Sequence, residues 1–291
     1  MIGRFLEKDR LRAVFVYLLG NDIPGRKIYV EPDDTFIVSY PRSGNTWTRF
    51  LIANLLHPNQ SVSFANIETL IPDIHAVPRK LLRTVPRPRV IKSHEYFDLR
   101  YQRLIYIVRD PRDVAVSYFH FHRKFDRIPQ DYAIEDYIPR FIAGEFDPYG
   151  SWGQNVASWI ATRQNTDGFL LLRYEDMKRD PVGGLRKVAE FFGLHAAPEQ
   201  LARAAELSSA DHMRKLESVQ SDLWVVTKSG RKDIPFVRAA KPGGWKESLS
   251  PAALAAIESA WGPLMKYLKY EISAPAEVFD LYAHADSKSH S

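Results

Sequence analysis

The chain has 291 residues, a formal net charge of +5, 45% hydrophobic residues and no cysteine. That length suits one large α/β domain or at most two small ones, and the apolar share allows a sizeable core. The missing cysteine excludes disulfides and thiolate metal sites, and the slight basic excess suits an acidic small ligand but is too weak to argue for nucleic acid.

Residues 1–20 read as an amphipathic helix ending at Gly20, within an N-terminal extension over 1–30. Its only apolar run, Ala13 to Leu19, is too short to span a bilayer. It lacks a small-residue cleavage site, so no signal peptide is expected and a soluble cytoplasmic protein is the default. A buried strand is expected over Thr35–Tyr40, then a loop with Gly44, then a helix from about Thr46 to Leu56 stopped by Pro58. Residues 57–88 are proline-rich, and loops and short helices are expected there. Short strands follow at Arg89–Ser93 and Arg103–Val108. Asp110 and Pro111 supply an N-cap and a first helical residue. The helix they open puts Val114, Tyr118, Phe121 and Phe125 on one face. Two helical segments between 131 and 165 precede a fourth strand at Phe169–Leu172. Helices are expected over Pro181–Phe192, twice between Pro198 and Leu216, and over Pro251–Leu268. Residues 218–244 read as a long loop and 271–291 as a polar tail. Strands alternating with helices predict an α/β fold: a single domain with a central, mainly parallel sheet flanked by helices.

The stretch Tyr40-Pro-Arg-Ser-Gly-Asn-Thr-Trp47 carries the most chemistry. A strand that feeds a small-residue loop and a helix N-terminus makes an anion site. The loop amides face inward, the helix dipole adds about half a positive charge, and Arg42 adds a full one. This is a P-loop-like place to hold a phosphate or sulfate ester. It is not the nucleoside-triphosphate loop, which needs a glycine at its first position and a lysine before the Ser or Thr. Lys92 and His94 are two apart at the end of a strand and project to the same side, where open α/β sheets bind ligands.

Three further segments, Val90-Ile-Lys-Ser-His-Glu95, Arg109-Asp-Pro-Arg-Asp-Val-Ala-Val-Ser117 and Arg173-Tyr-Glu-Asp176, complete an ordered set. With it the chain resembles the cytosolic-type sulfotransferases, from about residue 35 to residue 246. The resemblance implies 3′-phosphoadenosine 5′-phosphosulfate as donor and adenosine 3′,5′-bisphosphate as product, with no metal. It implies that Arg42, Ser43, Gly44, Asn45 and Thr46 cradle the 5′-phosphosulfate and that Trp47 stacks on adenine. Arg109 and Ser117 are implied at the 3′-phosphate and Tyr174 at the base. Ser208, Ser209 and Met213 match a stretch lining the adenine site. Phe236, Val237 and Arg238 match a segment that reaches the 3′-phosphate from the opposite side. Phe121 matches an aromatic of the acceptor pocket. The implied chemistry is an in-line displacement, with His94 as general base, Arg42 at the bridging oxygen of the leaving group and Lys92 on the sulfuryl group.

Several residues admit a second reading. Trp47 at helical spacing can be core, stacked, or both. Phe97, Phe121, Phe146 and Trp152 hint at a small, partly apolar hydroxyl acceptor, but serve equally well as core. Arg79, Lys80, Arg83, Arg87 and Arg89 read as a solvated face, and Glu175–Asp176 as caps or arginine partners. The chain also departs from the family pattern. Arg42 stands for lysine, Ala210 for a phenylalanine, Ala239–Ala240 for Lys-Gly, and only Lys246 survives of the dimerisation stretch, which leaves the oligomeric state open. Two rivals remain: a P-loop-like small-molecule kinase and a non-catalytic nucleotide-binding relative.

Overall fold

The computed structural model describes residues 16–237 and 241–273. The expected N-terminal helix lies largely outside them, as do the tail from 274 and Arg238, Ala239 and Ala240. Four strands, β1 (Thr35–Ser39), β2 (Val90–Ser93), β3 (Arg103–Val108) and β4 (Phe169–Arg173), form one sheet in the order β2-β1-β3-β4. Every pairing is parallel. Because β2 and β3 lie on opposite sides of β1, the connections reverse direction at β1, and ligands collect outside the carboxyl end of such a strand.

Side chains alternate across the sheet as the strand period demands. Phe36, Val38, Ile91, Leu104, Tyr106 and Val108 face one core, and Ile37, Val90, Ile105, Ile107 and Leu172 the other. The second core is covered by α1 (Asn45–Leu56), which follows the short loop after β1. The helices α2 (Ile67–Leu70) and α3 (Arg79–Thr84) are the short elements expected in the proline-rich stretch. The first core is covered by α4 (Pro111–Lys124), α5 (Ile134–Ala143) and α6 (Trp152–Arg163). After β4 come α7 (Tyr174–Arg179), α8 (Pro181–Phe192), α9 (Pro198–Leu207) and α10 (Ala210–Gln220). The last helix, α11 (Pro251–Tyr267), returns to the first core through Ile257, Trp261 and Met265.

The helix starts obey local chemistry. The Asp110 side chain accepts the Arg112 N–H ahead of α4, and Asp180 and Ser250 do the same for α8 and α11, each with proline at the first position. The helix α7 was not expected: it begins directly at the end of β4, with no turn residue to announce it. The last arginine of the supposed solvated face is a correction. Arg89 is buried, forks onto Asp34 at 2.8 and 2.5 Å, and reaches the carbonyls of Leu82 and Tyr29. It ties the entry to β1 to the entry to β2. Among the described residues no helix is long and apolar enough to cross a membrane.

Candidate active site

The loop after β1 turns sharply. Arg42 has φ 64 and Gly44 has φ 92, so two of three consecutive residues leave the right-handed region. Arginine adopts that conformation rarely, and the surrounding fold holds it there at a cost of about 1–3 kcal/mol. Gly44 is needed for space as well: a Cβ there would sit 2.4 Å from the Tyr174 ring. As N-cap of α1, Gly44 leaves the first amides of that helix without intrahelical partners, so they can bind an anion. The Asn45 amide holds the loop from below through the Ile37 carbonyl and Ser39 Oγ.

Beside this loop, the end of β2 presents His94. Its Nδ1–H donates to the Ser39 carbonyl at 2.7 Å, which fixes the tautomer and leaves the Nε2 lone pair unprotonated. Burial, and then the Lys92 charge, hold the imidazole pKa well below the usual histidine value. The His94 backbone N–H donates to His75 Nε2 at 3.2 Å. Lys92 Nζ donates to Asp73 Oδ2 at 2.5 Å in a buried ion pair. Burial works against the Asp73 charge, but Lys92 foremost, with His75 and Arg49, holds that carboxyl well below the usual range. Asp73 Oδ1 also accepts the His75 N–H. Residues 72–75 therefore run along β2 as a fragment of a further strand, with Lys92 N–H donating to Pro72 and Ile74 N–H to Lys92.

A cleft of about 560 Å³ opens over the end of β1. Arg42, Gly44, Asn45, Thr46, Trp47, Lys92, His94, Arg109, Ser117, Phe121, Tyr174, Met213, Phe236 and Val237 all line it. Arg42 Nε donates to Ser117 Oγ at 3.2 Å, and its guanidinium lies between the Phe121 and Phe236 rings at 4.9 and 4.6 Å. Arg109 packs over Tyr174 at 4.5 Å. The Trp47 indole N–H donates to the Ser208 carbonyl, while Lys178 lies over its ring at 4.6 Å, so the indole is anchored and still reaches the cleft. Ala210 lines the cleft where the family pattern has an aromatic. Lys241 lines it just beyond the Ala239–Ala240 departure.

Three residues expected at the ligand do not line the cleft. Ser208 is buried, with its hydroxyl donating to the Ala204 carbonyl and accepting from Asn54. Ser209 is exposed and caps α10 through the His212 N–H. Both hydroxyls serve helix ends, because α9 and α10 meet there and their termini need partners. Ser43 is fully buried beneath the loop and does not line the cleft. Arg238 lies outside the described residues. Trp152 is core, its indole N–H bonded to the Arg109 carbonyl, and Phe97 and Phe146 pack against the same core, which leaves Phe121 as the cleft aromatic of that set. Glu175 accepts the Asp110 N–H and the Tyr270 hydroxyl, and Asp176 faces Arg173 and Arg179.

Sequence reasoning missed Arg49, Asp73, His75, Asp113, Asp147 and Tyr149, all of which line the cleft. Asp113 accepts the N–H groups of Gly243 and Trp245 and so shapes the wall around Lys241. Its position one turn after Arg109 was the only signal available. The buried polar atoms with no hydrogen-bond partner among the described residues include Ser43 Oγ under the loop, Asn45 Oδ1 at the start of α1 and Arg109 Nε in the cleft wall. With the tight approach of Gly44 to Tyr174, these fit a cradle shaped for an anionic ligand. No group of three or more His, Cys, Asp or Glu among the described residues could hold a metal ion.

The cleft sets a strand-loop-helix junction suited to an anion beside the His94 imidazole. Residues 32–269 match the sulfotransferase domain, and the chain belongs to the sulfotransferase family. Mouse sulfotransferase 1B1 is 30% identical over 231 residues, covering 74% of this chain and 77% of that protein. Bovine sulfotransferase 1A1 is 30% identical over 236 residues, covering 76% and 79%. Among solved structures, mouse sulfotransferase SULT7A1 complexed with PAP aligns with a TM-score of 0.68 at 25% identity, over 88% of this chain and 90% of that one. Retinol dehydratase in complex with androsterone and inactive cofactor PAP aligns with a TM-score of 0.71 at 21% identity, over 87% and 85%, and shares the fold.

Proposed function

We propose that the chain transfers a sulfuryl group from 3′-phosphoadenosine 5′-phosphosulfate to a hydroxyl of a small soluble acceptor in the cytoplasm. One observation carries this reading: His94, with its Nε2 lone pair available, and the Arg42–Thr46 loop hang from the same end of β1 and line one cleft. The PAP complex of the similar mouse protein supports the donor. The donor, when bound, supplies an activated sulfuryl group and a bisphosphate leaving group. The amides at the start of α1 and the Arg42 guanidinium would hold its 5′ end. Arg109, Ser117 and Lys241, with Arg238, would take the 3′-phosphate, and Trp47, Tyr174 and Met213 the base. His94 Nε2 accepts the proton of the attacking hydroxyl. Arg42 stabilises negative charge by its fork and cannot itself give up a proton, so it acts as an electrostatic clamp. Phe121 borders the acceptor end.

The test is transfer of label from radiolabelled 3′-phosphoadenosine 5′-phosphosulfate to phenols and alcohols, run with and without chelator. Labelled sulfate ester and an equal amount of bisphosphate are expected. Chelator-sensitive ATP turnover without sulfate transfer would assign a kinase instead. Gly44→Ala probes the cradle directly. The new methyl meets Tyr174 at 2.4 Å and must hold φ 92. Strain of about 1–3 kcal/mol is expected to weaken adenosine 3′,5′-bisphosphate binding by about tenfold or more, read by calorimetry. Unchanged affinity would remove the loop from the binding site.

A further inference from the structure

One carboxylate in the cleft has no work in the mechanism above. Asp147 lies in the turn between α5 and α6, two residues before Tyr149, and both line the cleft. The Tyr149 ring stands 5.0 Å from His75 and 5.7 Å from His94, so this turn belongs to the end of the cleft where a hydroxyl must meet the base. The other two carboxylates of the cleft are saturated. Asp73 holds Lys92 and the His75 N–H, and Asp113 holds the Gly243 and Trp245 N–H groups. Asp147 Oδ2 is buried and has no hydrogen-bond partner among the described residues. Arg127 NH1 stands 3.8 Å from Oδ1, beyond hydrogen-bond range, and the Arg127 side chain is half exposed. Burial alone pushes the Asp147 carboxyl up to about 7.

An unpaired buried oxygen of this kind is costly, and a ligand donor removes that cost. Two kinds of donor are available, an ammonium and a hydroxyl. An ammonium would be placed beside the Arg127 guanidinium, and like charges at this range repel. A neutral hydroxyl suits both neighbours: it donates to Asp147 and accepts from Arg127. Resting on the sulfuryl-transfer reading, we propose that the acceptor is a neutral diol or polyol. One of its hydroxyls is sulfated at His94 while a second donates to Asp147.

The probes are phenol against catechol, cyclohexanol against trans-1,2-cyclohexanediol, and tyramine for the ammonium case. The wild type should prefer each diol over its monohydroxyl partner. Asp147→Ala should lower that preference in kcat/KM by about tenfold or more, and Asp147→Asn, which keeps a weaker neutral acceptor oxygen, by less. Binding of catechol and phenol to the protein saturated with adenosine 3′,5′-bisphosphate, followed by calorimetry, should show the same ordering without turnover. If Asp147→Ala does not fold, the Asn variant and the binding data decide. A diol preference unchanged in the variants overturns the proposal while leaving sulfuryl transfer intact, and so does a preference for tyramine over both phenols. No sulfate transfer from the wild type to any probe sinks the functional reading and this inference with it.

Discussion

Replacing His94 with alanine is expected to lower kcat/KM by about 10²–10⁴-fold, the range a positioned general base contributes. Binding of adenosine 3′,5′-bisphosphate should survive, because the ring anchors to the Ser39 carbonyl and not to the Arg42–Thr46 loop. The wild-type pH profile carries a second signature. A base acts when neutral, and burial with the Lys92 charge depresses its pKa well below the ordinary value. The acid limb of kcat/KM should therefore fall below the histidine range: activity persists as pH drops through 6.5, the ordinary value, and fails only well beneath it. A limb at the ordinary value, or a fully active alanine variant, would remove His94 from the role of base.

The second large effect concerns stability. Asp73 and Lys92 form a buried pair at 2.5 Å, with side chains 5% and 8% exposed. Asp73→Ala leaves the ammonium buried without its counter-charge, and such half-broken pairs cost about 3–5 kcal/mol. Urea denaturation should show that loss. The double variant Asp73→Leu, Lys92→Met should regain most of the stability, because apolar replacement of a whole buried pair is near neutral. It should not regain sulfate transfer if Lys92 steadies the transferring group. Recovery of both would make the pair purely structural; recovery of neither would show that the 72–75 fragment depends on this carboxylate for more than charge.

The parts of the fold that were legible are those with local signals. The apolar runs Phe36–Val38 and Leu104–Val108 are strands because both faces of a covered parallel sheet are buried, and the Asp110–Pro111 and Asp180–Pro181 pairs mark helix starts at the residue. Residues later found in the cleft were named where they follow a strand end, as with Arg42, His94 and Arg109. Ser208 and Ser209 use their hydroxyls locally, because a hydroxyl between two helices serves the helix ends before it serves a ligand. Asp73, His75 and Asp147 were illegible for a different reason. They sit on irregular segments with no period, and their importance comes from partners far along the chain: Asp73 and Lys92 are nineteen residues apart, and Asp147 stands out only for a bond it lacks.

The last residue of β1 serves two clients. Its carbonyl steadies the imidazole, and its hydroxyl steadies Asn45 at the mouth of α1. The imidazole and the loop at the start of α1 are thus gauged from a common datum, with no adjustable joint between them. On the proposed reading, the alignment for an in-line attack would be settled by the backbone before either reactant arrives. Variation in acceptor choice can then accumulate in the surrounding loops without disturbing the reaction axis.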